Sequence, residues 1–174
     1  TMALFPPKVQ RKLMAGLAHL VQTEGVEDQL TYLTMLIEPV DSQFNAIITG
    51  PDFNRTYQSP STMIALQVVF ERLRGLLQST RGRTYKSINQ IVTQYLSTLV
   101  ELLIIYKDHH QMVLLILKIF RDYVAYVSCC TYDEALLHPF REALAQMLTS
   151  AQSVNLFKRR VTGGTTALGA RYGA

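Results

Sequence analysis

Between Ser87 and Val127 the apolar residues recur at helical spacing. Ile88, Ile91, Val92, Tyr95, Leu99, Leu102, Leu103 and Tyr106 follow an i, i+3, i+4, i+7 pattern, while Asn89, Gln90, Thr93, Gln94, Ser97 and Glu101 fall on the opposite side. A second stripe runs through Val113, Ile116, Leu117, Phe120, Val124 and Val127. Leu114, Leu115, Ile119 and Tyr123 widen it until only Gln111, Lys118, Arg121 and Asp122 are left as a polar edge. The pattern predicts two long helices joined at Lys107-Asp108, the second covered on several sides. A membrane-spanning hairpin would need about 20 mostly apolar residues per span. Glu101, Lys107, Asp108, Lys118, Arg121 and Asp122 interrupt both segments, so no membrane insertion is expected.

The flanking chain reads in the same way. Pro6-Pro7 opens a first helix whose stripe is Val9, Leu13, Leu17, Leu20 and Val21, ending at Gly25. Glu27 and Asp28 place negative charge at the start of a second helix, with Leu30, Leu33, Ile37, Val40, Phe44, Ile47 and Ile48 inward and a bend expected at Pro39. Residues 51–59 are rich in turn formers. Ser59-Pro60 then gives an N-cap and a first-turn proline for a third helix, with Leu66, Val69, Leu73, Leu76 and Leu77 inward. A loop from Ser79 to Thr84, containing Arg81-Gly82-Arg83, leads into the fourth helix. Thr131 with Glu134 forms a capping box for a sixth helix through Leu137, Phe140, Leu144, Met147 and Leu148, with Pro139 inside it. Alternate helices start near residues 7, 60 and 108, so a two-helix unit recurs at about 50 residues, close to the roughly 40–47 of HEAT and armadillo units. The expected fold is all-α, an α-solenoid of about three HEAT-like antiparallel helical pairs over residues 1–152. Residues 153–174, rich in Gly, Thr and Ala, read as a disordered tail.

Composition narrows the function classes. With 48% hydrophobic residues, 17% charged and no Trp in 174 residues, the chain suits helices covered by other helices, some of them outside it. The net charge of +4 comes from scattered groups: Lys8, Arg11 and Lys12; Arg72 and Arg74; Arg81, Arg83 and Lys86; Lys158, Arg159 and Arg160. Solvated helix faces and loops account for them, and nucleic acid is not an expected partner. Lys158-Arg159-Arg160 complements a helix end. Cys129 and Cys130 are adjacent, unsuited to an ordinary disulfide or a zinc site, and read as reduced thiols of a protein without a signal peptide. Without secretion, the sequon at Asn54 carries no weight. His19, His109, His110 and His138 form no metal motif, and Gly163-Gly164-Thr165-Thr166 lacks the lysine of a phosphate loop. No nucleophile elbow or acid–base pair is legible, so neither catalysis nor a metal or cofactor is expected.

Three segments in order carry a family resemblance: Val9-Gln10-Arg11-Lys12-Leu13-Met14; Leu36-Ile37-Glu38-Pro39-Val40 with Phe44 five residues past the proline; and Leu102 to Lys107. Together with Met112 to Phe120, they resemble the exportins of the karyopherin family over roughly residues 8–157. The resemblance implies a HEAT-repeat nuclear transport receptor segment that binds protein cargo with Ran-GTP, passes nuclear pore proteins and shuttles between nucleus and cytoplasm. It also implies that the second helix of each pair faces cargo. The corresponding outward positions are Thr34, Glu38, Asp41 and Asn45; Gln90, Gln94, Ser97 and Glu101; and Glu134, His138 and Arg141. The basic charge, the small size and the Gly-rich tail depart from the family pattern, and the chain is expected to be part of a longer receptor. A stand-alone helical scaffold, with polar helices capping both ends, is the alternative.

Overall fold

The computed structural model describes residues 5–23, 28–80 and 84–127, together with His138 and Ala145. Among the described residues the secondary structure is helical throughout: α1 (Pro7–Thr23), α2 (Gln29–Ile48), α3 (Phe53–Thr56), α4 (Pro60–Gln78), α5 (Tyr85–Ile105) and α6 (His110–Tyr126). The expected sixth helix, its capping box, the cysteines, the Arg81-Gly82-Arg83 loop and the C-terminal tail lie outside the described residues.

The start of α4 follows its sequence signal. Ser59 Oγ accepts from the Thr62 amide at 3.2 Å, and Pro60 occupies the first turn, where a missing N–H costs nothing. α2 stays helical across Pro39, where both Pro39 and Met35, whose carbonyl loses its intrahelical donor, are exposed to water. The turn-rich stretch 51–59 contains α3, one helical turn that buries Phe53. Tyr57 follows it and meets Tyr106 edge-on, ring centroids 5.7 Å apart. The Tyr106 hydroxyl donates to the Tyr57 carbonyl at 2.6 Å. Burial, and then Tyr57 beside it, push the Tyr106 phenol up to about 12.

The helices form two rows. α4 lies between α1 and α6, while α2 packs on α5 across the other side of the core, and α4 touches all four. Phe44 of α2 sits between Phe70 of α4 and Tyr95 of α5, at centroid distances of 6.3 and 5.6 Å. All eight stripe residues expected for α5, Ile88 to Tyr106, are buried, as are the five expected for α4. From Val69 to Leu77, α4 is buried all the way round.

The closest approach is between α1 and α4. A Cβ added at Gly75 would stand 2.3 Å from the Arg11 carbonyl oxygen and 3.0 Å from Met14 Cβ, so only glycine lets the two backbones meet. This crossing decides which face of α1 is inside, and it is not the apolar stripe. Gln10, Met14 and Ala18 are buried, whereas Val9 is 39% exposed, Leu13 37%, Leu17 39% and Leu20 63%. Four of the five residues of the expected core stripe of the first helix therefore face outward, while Val21 is partly buried against the core. Leu30 and Val124, also expected inside, are exposed.

The row of α1, α4 and α6 is joined by charge. Arg74, 4% exposed, donates through Nε to Asp122 Oδ2 at 2.8 Å and through Nη1 to Glu71 at 3.2 Å. Arg11 reaches Glu71 from α1 at 3.5 Å. Gln78 and Arg121 complete the shell of the Asp122 carboxylate. Arg72 Nε donates to Gln10 Oε1 at 2.8 Å and Nη1 to Gln43 at 3.2 Å, and burial holds its guanidinium below its ordinary range. Arg72 and Arg74 are thus interior groups, not solvated ones, and Asp122, expected on a polar edge, is among the most buried side chains. At the far end of α1, Gln22 donates to Ser79 Oγ and accepts from Thr84, while its carbonyl accepts from Gln29. One residue there, through its side chain and its carbonyl, ties together the ends of four helices.

Two outcomes follow for the folded chain. Gly75→Ala should destabilise it by about 1–3 kcal/mol in a urea titration, because the added methyl separates α1 from α4. Asp122→Ala should cost about 3–5 kcal/mol by leaving the Arg74 guanidinium short of an acceptor, while Arg74→Met combined with Asp122→Leu should recover most of that loss.

Candidate interaction surface

The exposed positions of α2 and α5 are set by their core stripes. With Leu33, Ile37, Val40 and Phe44 turned inward, the α-helical period leaves Thr34, Glu38 and Asn45 exposed; with Ile91, Tyr95, Leu99 and Leu102 inward, it exposes Gln90, Gln94, Ser97 and Glu101. α2 packs on α5, and each of the two helices carries exposed polar positions. Asp41, assigned to the outward stripe, is instead half-buried between the helices. Its Oδ1 accepts from the Tyr95 hydroxyl at 3.1 Å. Burial raises the Tyr95 phenol well above its ordinary range, and the neighbouring Asp41 charge and hydrogen bond raise it further. Asp41 is thus a strut between α2 and α5. Asn89 has the same role on the next pair, accepting from the Tyr123 hydroxyl of α6 at 2.8 Å.

Thr34 Oγ1 donates back to the Leu30 carbonyl at 2.7 Å, which uses its one proton. The surface therefore offers the carboxylates of Glu38 and Glu101, the amides of Asn45, Gln90 and Gln94, and the Ser97 hydroxyl. These are hydrogen-bonding groups. His138 is exposed; Glu134 and Arg141 lie outside the described residues.

A separate open cleft of about 400 Å³ is lined by the end of α2, α3 and the first turn of α4, with Asp52 the one ionisable group on its wall. Among the described residues no three His, Cys, Asp or Glu side chains come together as a metal site. No protein-family description matches the chain, and no solved structure matches it.

The α2–α5 surface separates two kinds of side chain. Glu38→Lys and Glu101→Lys should each leave stability within about 0.5 kcal/mol of the parent in urea titrations, as solvated positions do. Asp41→Ala should cost about 1–3 kcal/mol because the buried Tyr95 hydroxyl loses its acceptor.

Proposed function

We propose that the chain is an α-solenoid segment of a nuclear transport receptor of the exportin type, acting by shape and charge complementarity to a folded protein cargo. The sequence resemblance is to the C-terminal half of exportin-4, and the two-row arrangement supports it. α1, α4 and α6 are the first helices of successive pairs and pack on one another, while the second helices, α2 and α5, pack on one another. That is how stacked HEAT-like pairs bury a continuous core. In this reading Ran-GTP and nuclear pore proteins are partners of the full receptor, which shuttles between nucleus and cytoplasm. Cargo meets Glu38, Asn45, Gln90, Gln94, Ser97 and Glu101.

The single observation that carries the reading is that α2 and α5, the second helices of successive pairs, pack on one another and each carry exposed polar positions. A self-contained scaffold is less well supported, because the outward face of α1 is apolar where a capping helix would be polar.

The test is co-precipitation of the native protein with Ran loaded with a non-hydrolysable GTP analogue and nuclear extract. Ran and a cargo protein should be retained together, and retention of the cargo should fall when Glu38→Lys and Glu101→Lys are introduced. Failure of both Ran and cargo to associate overturns the proposal.

A further inference from the structure

The open cleft beside α3 offers hydrogen-bond acceptors almost to the exclusion of donors. Ala46 and Ile47 of α2, Phe53 of α3 and Ala65 of α4 give its volume of about 400 Å³ apolar walls, and that size lies within the range of small-ligand sites. Asp52 is exposed on the same wall. Among the described residues its carboxylate makes no ion pair and caps no amide of α3. The hydroxyls have spent their protons inside the protein. Thr56 Oγ1 donates to the Asp52 carbonyl at 2.9 Å. Ser59 Oγ donates to Thr62 Oγ1 at 2.9 Å, so the proton of the 3.1 Å pair between Ser59 and Ser61 comes from Ser61. Thr56 and Ser61 therefore have lone pairs left for whatever enters.

The backbone adds acceptors of its own. Ala46 and Ile47 lie in the last turn of α2, the negative end of that helix, and Pro51, four residues after Ile47, has no N–H to give its carbonyl. Gly50 leaves these carbonyls uncovered: a Cβ there would stand 3.2 Å from the Ala46 oxygen and 3.3 Å from that of Ile47. The start of α4, on the facing wall, is already capped. Pro60 has no N–H, Ser59 Oγ takes the Thr62 amide, and the Ser59 carbonyl takes the Met63 amide.

We infer that the cleft receives an arginine side chain of a partner polypeptide. The alkyl stem lies along the apolar walls, and the guanidinium turns its five donors to the Asp52 carboxylate and to the hydroxyl and carbonyl oxygens around it. An anion would meet a carboxylate and lone pairs there. A neutral apolar group would strip water from Asp52 without giving it a partner. The cleft is open, as entry of a side chain still attached to its own backbone requires. The inference does not rest on the transport reading.

The test is a titration of the full 174-residue chain with the capped tripeptide acetyl-Ala-Arg-Ala-amide, followed through backbone amide shifts by NMR. The amides of Gly50, Asp52, Thr56 and Ser61 should move together. The same peptide with citrulline in place of arginine, equal in shape but uncharged, should bind roughly 10-fold more weakly or worse, the scale of one hydrogen bond to a charged group. Asp52→Asn should cause a similar loss while leaving the thermal melt unchanged, because the position is exposed and the shape is kept. Ethylguanidinium, which has no backbone to rest on the mouth of the cleft, should bind more weakly than the peptide. Ethylguanidinium that binds as tightly makes the occupant a small molecule and overturns the assignment to a partner chain. Shifts that are absent at millimolar peptide or centred on Glu38 and Glu101, or binding indifferent to citrulline and to Asp52→Asn, overturn the inference outright.

Discussion

Arg74 is the group around which the described helices are arranged. It lies on the helix that every other long helix touches, and its guanidinium is almost fully removed from water. A cation in that position needs anions held at hydrogen-bonding distance, because the desolvation of an unpaired charge amounts to several kcal/mol. Glu71, one turn away on the same helix, and Asp122, from α6, supply them. The consequence is geometric: the 2.8 Å contact to Asp122 fixes where α6 lies along α4. Arg11 on Glu71 does the same for α1. Apolar contacts alone would leave these helices freer to slide, since leucines and isoleucines repeat along each stripe.

Close backbone approach at Gly75 supplies the second constraint, and together they determine the fate of α1. The side of α1 that meets α4 must be flat enough to reach the glycine and polar enough to serve Glu71 and Arg72. Met14, Ala15 and Ala18 meet the first need, Gln10 and Arg11 the second. Val9, Leu13, Leu17 and Leu20 of α1 suit neither and are left on the outer side. What is outside α1 is therefore a result of what α4 requires.

On the opposite row the same logic leaves a mixed surface. α2 and α5 bury continuous apolar stripes, and struts such as Tyr95 on Asp41 and Tyr123 on Asn89 fix their neighbours. Their exposed positions mix amides, carboxylates and hydroxyls with the apolar side chains of Leu30, Tyr32, Met35, Ile104 and Ile105. The two rows thus differ in how they are joined, one through buried charge, the other through apolar stripes and tyrosine struts.

By itself the sequence determined the all-helical class, the positions of the long helices, the Ser59 cap and the core stripes of α4 and α5. Those depend on period, capping and turn chemistry, which are local. It also held a sign of the buried charges that is clear only in retrospect. Arg74 falls on the stripe of Phe70 and Leu77, and Asp122 on that of Leu115 and Ile119, so opposite charges sit within facing apolar arcs. Which face of α1 would be buried could not be read locally. The apolar stripe of Val9, Leu13 and Leu17 is the stronger pattern, and only the tertiary structure, through Gly75 and the buried arginines of α4, turned it outward. Asp41 was legible as a polar position, but its place between two helices depends on where Tyr95 comes to lie, more than fifty residues away. Periodicity reports how apolar a face is; which neighbour covers it is decided by how closely two backbones can approach and which buried charges they must satisfy.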